Sequence, residues 1–276
     1  MTVETLEIFI LGIVQGLTEF LPVSSSGHLV LFQHVFGMKE PQLLLDVCLH
    51  VGTLIAVFVV FFKELQRLAS VLIRLPVLVR NAGGIVSLFQ QNPDFRILVL
   101  IGFGTIPTAV LGLFFHTQID LLFGTTRVAG IMLLVTGLLL FLTRRVTAPG
   151  RPVAAMTIRD ALIIGLSQGM AILPGLSRSG TTISTALLLG VQRETAGPFS
   201  FLLSIPAIFG ALLLQLSSSL TPSPVSLKML LLSSATAAVT GFFALKILLR
   251  FVNQGRLSVF APYCWVVGVL VLILTR

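Results

Sequence analysis

Six stretches of the chain are apolar over roughly the 20 residues that a helix needs to cross a bilayer: about 43 to 62, 95 to 116, 127 to 143, 198 to 219, 227 to 249 and 258 to 275. Each predicts one spanning helix. Two further stretches, about 4 to 36 and 160 to 191, are apolar toward both ends but broken midway, at Phe20-Leu21-Pro22-Val23-Ser24-Ser25-Ser26-Gly27-His28 and at Leu173-Pro174-Gly175-Leu176-Ser177-Arg178-Ser179-Gly180. No regular helix runs through such a break. Irregular backbone is tolerated at membrane depth only where it is buried in protein or lines a polar cavity. The pattern therefore predicts an all-α polytopic membrane protein: six transmembrane helices plus two broken re-entrant helical hairpins, in a single membrane domain over residues 1–276. The segment from about 80 to 95 mixes Gly, Gln, Asn and Pro without a long apolar face and reads as a cytoplasmic loop, at most with a short interfacial helix.

The two broken stretches match each other at an offset of 153: Gly12 with Gly165, Gln15 with Gln168, Gly16 with Gly169, Ser24 with Ser177, Ser26 with Ser179, and Gly27 with Gly180. Each is followed by three predicted spans, so residues 4–143 and 160–276 read as two internal repeats.

Composition agrees with a membrane protein. The 276 residues are 55% hydrophobic and only 10% charged, with a mean hydropathy of +1.05, which excludes an ordinary soluble domain. Cys48 and Cys264 lie in apolar runs far apart and read as small buried hydrophobes, which excludes a disulfide scaffold. The net charge of +8 invites a nucleic-acid partner, but the basic residues fall in short loops between apolar runs, as they do in membrane proteins, and no nucleic acid is expected. Glu4 and Glu7 stand where an export signal needs a basic region, so the first stretch is expected to remain in the mature chain.

With both hairpins re-entrant, thirteen of the eighteen Lys and Arg residues fall on one side, among them Arg67, Arg74, Arg144, Arg145 and Arg193; Lys39, Arg127, Lys228 and Arg276 fall on the other, with Arg178 set aside. The positive-inside rule then puts both termini outside the cytoplasm, and the two hairpins enter from opposite sides. That is an inverted-topology repeat, a design that places its site where the broken elements meet near the midplane.

The tips carry the candidate chemistry. Gln15 and Glu19 are four apart and share a helix face, and a carboxylate at membrane depth is a functional hypothesis by default. Ser24, Ser25, Ser26, Gly27 and His28 crowd hydroxyls, a permissive glycine and an imidazole before an apolar helix whose N-terminus would attract an anion. Taken singly, each serine is also a plain N-cap. His28 lies three residues from Ser25, within plausible proton-transfer reach if the second half-helix starts at the tip. His34, His50 and His116 lack such company and read as structural or interfacial. The second tip supplies Ser177, Arg178, Ser179, Gly180, Thr181 and Thr182, and a guanidinium best matches the paired oxygens of a phosphate. A structural pairing of Arg178 with Glu19 is the plainer alternative. Together the tips read as a phosphate-handling site inside the membrane.

Gln15-Gly16-Leu17-Thr18-Glu19 and Ser26-Gly27-His28 resemble the glutamate-rich motif and Ser-Gly-His of the undecaprenyl pyrophosphate phosphatases, the bacitracin-resistance proteins. Pro174-Gly175-Leu176-Ser177-Arg178-Ser179-Gly180-Thr181-Thr182 fits that family's second motif at every fixed position, and the resemblance extends over nearly the whole chain, Phe199-Ser200-Phe201-Leu202-Leu203 and Ile205-Pro206 included. Gln15 stands where many members carry Glu. The resemblance implies a bacterial plasma-membrane hydrolase that removes the terminal phosphate of a C55 polyprenyl pyrophosphate, recycling the cell-wall lipid carrier; the loop charge alone puts the opening of its site on the non-cytoplasmic side. By matching position, Ser25 would be the nucleophile, with His28 and Glu19 handling its proton. Arg178 would clamp the pyrophosphate, helped by Ser24, Ser26, Gly27, Ser177, Ser179, Gly180 and Thr182, and a divalent cation, Mg²⁺ or Ca²⁺, would sit at Gln15 and Glu19. The expected partners are the lipid substrate and the bilayer, with a homodimer as an open alternative. The rival readings are a transporter or flippase built on the same inverted repeat, and a lipid phosphatase with a histidine nucleophile, for which no second His with a nearby acid follows Arg178.

Overall fold

A computed structural model describes residues 3–37, 43–115, 126–218 and 225–274; His116, Lys39 and Arg276 lie outside them. Among the described residues the chain is helical, with no strand beyond an isolated bridge between Arg151 and Val191. The first broken stretch folds as α1 (Val3–Phe20) and α2 (Ser25–Val35), the second as α9 (Ile158–Met170) and α10 (Arg178–Leu188). Between and after them run α3 (Leu43–Val60), α7 (Pro93–Phe115), α8 (Thr126–Leu142), α11 (Arg193–Ser218), α12 (Leu227–Asn253) and α13 (Ala261–Leu274), which match the six predicted spans. Five of these, some with flanking turns, are long and apolar enough to cross a membrane, and α3 makes a sixth together with the helix that follows it at a bend of 80°.

Three further helices, α4 (Phe62–Ile73), α5 (Leu75–Ala82) and α6 (Ile85–Gln91), run between α3 and α7; the predicted loop from about 80 to 95 holds the end of α5 and the short α6. Gly83 and Gly84 only punctuate the last two, Gly83 as a left-handed cap at φ 78°. Their apolar positions are split between the body, where Leu68, Val71 and Leu88 are buried, and the exposed Phe62, Leu72, Ile73, Ile85 and Val86. Short amphipathic stripes of this kind are weak signals in sequence.

Each hairpin packs chiefly on spans from the other part of the chain. α1 lies along α12, α9 along α7, and α10 against α8. Small residues allow the close approach, since lipid gives helices little hydrophobic reason to associate and packing must supply it. A Cβ on Gly16 would sit 1.9 Å from Thr240 Oγ1, and one on Gly165 would sit 1.9 Å from the Gly104 carbonyl oxygen. Thr108 Oγ1 then donates across that seam to the Gly165 carbonyl at 2.8 Å. Interleaving drives both tips into the middle of the bundle, where Phe20 at the end of α1 meets Phe201 of α11 edge to face with 5.7 Å between ring centres.

Candidate active site

The two half-helix breaks have different causes. α1 ends at Phe20 just before Pro22, which lacks an N–H, and the chain turns through Ser24 at φ 69° before α2 starts at Ser25. A non-glycine residue in the left-handed region costs on the order of 1–3 kcal/mol and is retained only when its surroundings impose it. In the second hairpin Gly175 takes the left-handed position at φ 89°, and no other residue fits, because a Cβ there would lie 2.1 Å from the Ala129 carbonyl oxygen. Ser177 then caps α10 by accepting the Gly180 N–H at 3.2 Å. Thr136 of α8 fixes this tip from outside: its hydroxyl contacts the Gly175 carbonyl at 3.1 Å and accepts the Ser177 N–H at 3.1 Å.

The tips meet. Glu19, 8% exposed, is the junction: its Oε1 accepts from Arg178 Nη2 across the 159 residues that separate them, and its Oε2 accepts from Ser25 Oγ at 2.7 Å and from Gln15 Nε2 at 3.1 Å. Ser25 and Arg178 occupy matching positions at the offset of 153. The first residues of α2 and α10 thus hold the two oxygens of one carboxylate. A second contact is steric, since a Cβ on Gly180 would lie 3.0 Å from Pro22 Cβ. The paired hydroxyls also recur, with Ser24 Oγ 3.3 Å from Ser26 Oγ and Ser177 Oγ 3.3 Å from Ser179 Oγ.

Two buried polar atoms of this network have no hydrogen-bond partner among the described residues, Arg178 Nη1 and Gln15 Oε1. A buried donor or acceptor left unmatched costs roughly 1–3 kcal/mol, and such atoms at a cluster of charge are poised for a ligand. The Arg178–Glu19 pair is therefore more than the structural bridge weighed above: one end of the guanidinium holds the carboxylate and the other remains to be used.

Two placements, those of His28 and His50, differ from the sequence expectation. His28 does not bond to Ser25; its Nδ1–H donates to the Ser24 carbonyl at 2.8 Å, and its Nε2 accepts from the Tyr263 hydroxyl at 2.6 Å, with the two rings stacked. The imidazole supports the strained turn at Ser24, and the group in contact with the Ser25 proton is Glu19. Thr182, expected to touch substrate, donates its hydroxyl to the Arg178 carbonyl of its own helix at 2.9 Å. Around Gly27 an added Cβ would meet only Ser24 Oγ at 3.8 Å, so the tip is open there. His50, read as structural, brings Nε2 to 3.9 Å from Glu19 Oε2.

Tyr263 and His50 were missed because they lie far along the chain from their partners. For His50 there was a usable signal: Asp46 stands four residues before it in an apolar span, and ionisable residues inside a membrane span are themselves candidates. Among the described residues no three His, Cys, Asp or Glu side chains group as a metal cluster. Any cation here must draw on amide, hydroxyl and substrate oxygens besides Glu19.

The family model described as bacitracin resistance protein BacA matches residues 8–270. The chain is 51% identical to the undecaprenyl-diphosphatase of Desulfatibacillum aliphaticivorans, over 97% of its own length and 98% of that protein. It is 42% identical to the undecaprenyl-diphosphatase of Halothermothrix orenii (98% of each chain) and 39% identical to that of Methanosphaera stadtmanae (99% and 98%).

Proposed function

This chain belongs to the bacitracin resistance protein BacA family, and from that membership together with the site we infer its activity and how it is carried out. It is a multi-pass membrane undecaprenyl-diphosphatase, a hydrolase that converts the pyrophosphate of the C55 lipid carrier to the monophosphate. The rival reading, transport of an anionic solute or lipid without hydrolysis, is not favoured by this kinship. The observation that carries the mechanism is the Glu19 junction, where a serine hydroxyl and an arginine from the two tips share one carboxylate.

Ser25 is the nucleophile. As its oxygen attacks the terminal phosphorus, its proton passes to Glu19 Oε2, already in hydrogen-bond contact, and the bridging P–O bond breaks with its electron pair leaving on the lipid monophosphate. The departing phosphate takes the proton from Glu19. Water then attacks the phosphoserine, Glu19 receives the water proton and returns it to Ser25 Oγ, and inorganic phosphate leaves. Arg178 Nη1 binds the charge that develops on the phosphoryl oxygens while Nη2 keeps Glu19 ionised and aligned. The hydroxyls of Ser24, Ser26, Ser177 and Ser179 and the N-termini of α2 and α10 supply further donors.

A divalent cation, Mg²⁺ or Ca²⁺, fits the unpartnered Gln15 Oε1 beside the Glu19 carboxylate and would neutralise charge on the pyrophosphate. The loop-charge asymmetry supports both termini outside the cytoplasm, a site opening to that side and hairpins entering from opposite faces, and the matches at an offset of 153 support two inverted repeats. Acid quenching of purified protein during turnover of substrate labelled in its terminal phosphate tests the mechanism. Label on Ser25, absent from Ser25→Ala, is expected; label on His28, or substantial turnover by Ser25→Ala, overturns the assignment.

A further inference from the structure

The Nδ1 of His50 lies 2.8 Å from the Asp46 carbonyl oxygen. A carbonyl only accepts, so Nδ1 carries the proton, and the neutral ring has its lone pair on Nε2. That lone pair and Glu19 Oε2 are 3.9 Å apart, two acceptors with no hydrogen to share in this tautomer. Arg178 already faces the other oxygen of the carboxylate, and on this side a cation could take one lone pair from each group. Histidines that bind metal commonly hold their other ring N–H on a backbone carbonyl or carboxylate, which fixes ring and tautomer as seen here. One turn earlier Asp46 Oδ1 accepts from Gln33 Nε2 of α2 at 2.8 Å, which ties this part of α3 to the first hairpin. The His50 side chain is 35% exposed, so an ion has access, and the fully buried Gln15 Oε1 is an unused oxygen donor on the same carboxylate.

We propose that His50 is the nitrogen ligand of a divalent cation held with Glu19 and Gln15. The inference deepens the phosphatase reading and rests on it for the cation's role beside the pyrophosphate. Gln15 brings no charge, and the imidazole supplies the ligand field that a second carboxylate would otherwise give. An N,O donor set also moves selectivity away from Ca²⁺, which takes oxygen only, toward ions that accept imidazole.

The test binds Mn²⁺ to purified wild-type protein carrying ¹⁵N-labelled histidine and reads the hyperfine coupling by pulsed electron paramagnetic resonance. A directly bound imidazole nitrogen is expected, absent in His50→Gln, whose Mn²⁺ affinity should fall on the order of 10-fold or more while its Mg²⁺ affinity changes far less. Mn²⁺ bound without nitrogen coupling in the wild type, affinity unchanged in His50→Gln, or no Mn²⁺ binding by the wild type would each overturn the proposal. None of these outcomes touches the phosphoserine experiment, so the phosphatase reading stands or falls separately.

Discussion

The first and second hairpins share a register of glycines, serines and one glutamine, yet they perform different work. At matching positions the first has Glu19, Ser25 and His28 where the second has Ile172, Arg178 and Thr181. The first therefore holds a carboxylate and its hydroxyl, the second a guanidinium. Gln15 serves Glu19, whereas Gln168 is held by packing, its Nε2 donating to Thr108 Oγ1 at 3.2 Å and to the Leu203 carbonyl at 3.3 Å. Neither tip is a site alone. An isolated Glu19 or Arg178 at this depth would face a heavy desolvation cost, and each removes that cost from the other.

The largest effects should come from breaking the junction. Glu19→Gln keeps the shape but removes the base, and kcat should drop roughly 10²–10⁴-fold. Arg178→Lys keeps the charge but loses the fork that holds Glu19 with one arm and the phosphate with the other, and should cost about 10²-fold or more in turnover by purified protein. The double exchange Glu19→Arg with Arg178→Glu sharpens the comparison. It preserves a buried ion pair, so the protein should fold, but it moves the base away from Ser25. Turnover near the wild-type rate in that variant would show that the hairpins are interchangeable and refute the division of labour.

The matched glutamines give a smaller contrast. Gln168→Ala should lower stability, by about 1–3 kcal/mol for acceptors left unmatched on α7 and α11, and leave KM and kcat close to wild type. Gln15→Ala should do the reverse and weaken cation-dependent activity more than melting temperature. Thermal unfolding in detergent beside steady-state kinetics separates the two.

Much of this was legible in the sequence because long apolar runs and their interruptions are strong signals. Six spans, two broken hairpins and the candidates Glu19 and Arg178 follow from pattern and chemistry, whereas Ser25 was singled out from its neighbouring serines only by the family resemblance. What the sequence did not reveal depends on contacts between remote elements. The partner of His28 is Tyr263, 235 residues away, and local i, i+3 spacing pointed to Ser25 instead. α4 and α5, between Phe62 and Ala82, were hidden because their apolar stripes are short. The left-handed turn at Ser24 was equally invisible, since only the packed tip imposes it on a serine.

The smallest contrast lies at the open ends of the hairpins. Arg151 binds both oxygens of Asp160 at 3.0 Å and also donates to the Leu189 carbonyl at 2.9 Å, clamping the start of α9 to the end of α10. At the matching position the first hairpin has Glu7, which forms no ion pair among the described residues. Burial works to raise the Asp160 pKa, but the hydrogen bonds and charge of Arg151 and the Thr157 N–H and hydroxyl outweigh it, so the group titrates below its ordinary 3.8. A depressed folded-state pKa means that the unfolded chain binds the proton more readily. The stabilisation is complete above 3.8 and is lost as pH falls through the lower folded value. Melting of the wild type between about pH 5 and pH 3 should therefore fall more steeply than melting of Asp160→Asn, which has no proton to gain. Parallel curves for wild type and Asp160→Asn would mean that the clamp adds no stability and that the second hairpin is held by its tip and its seam with α7 alone.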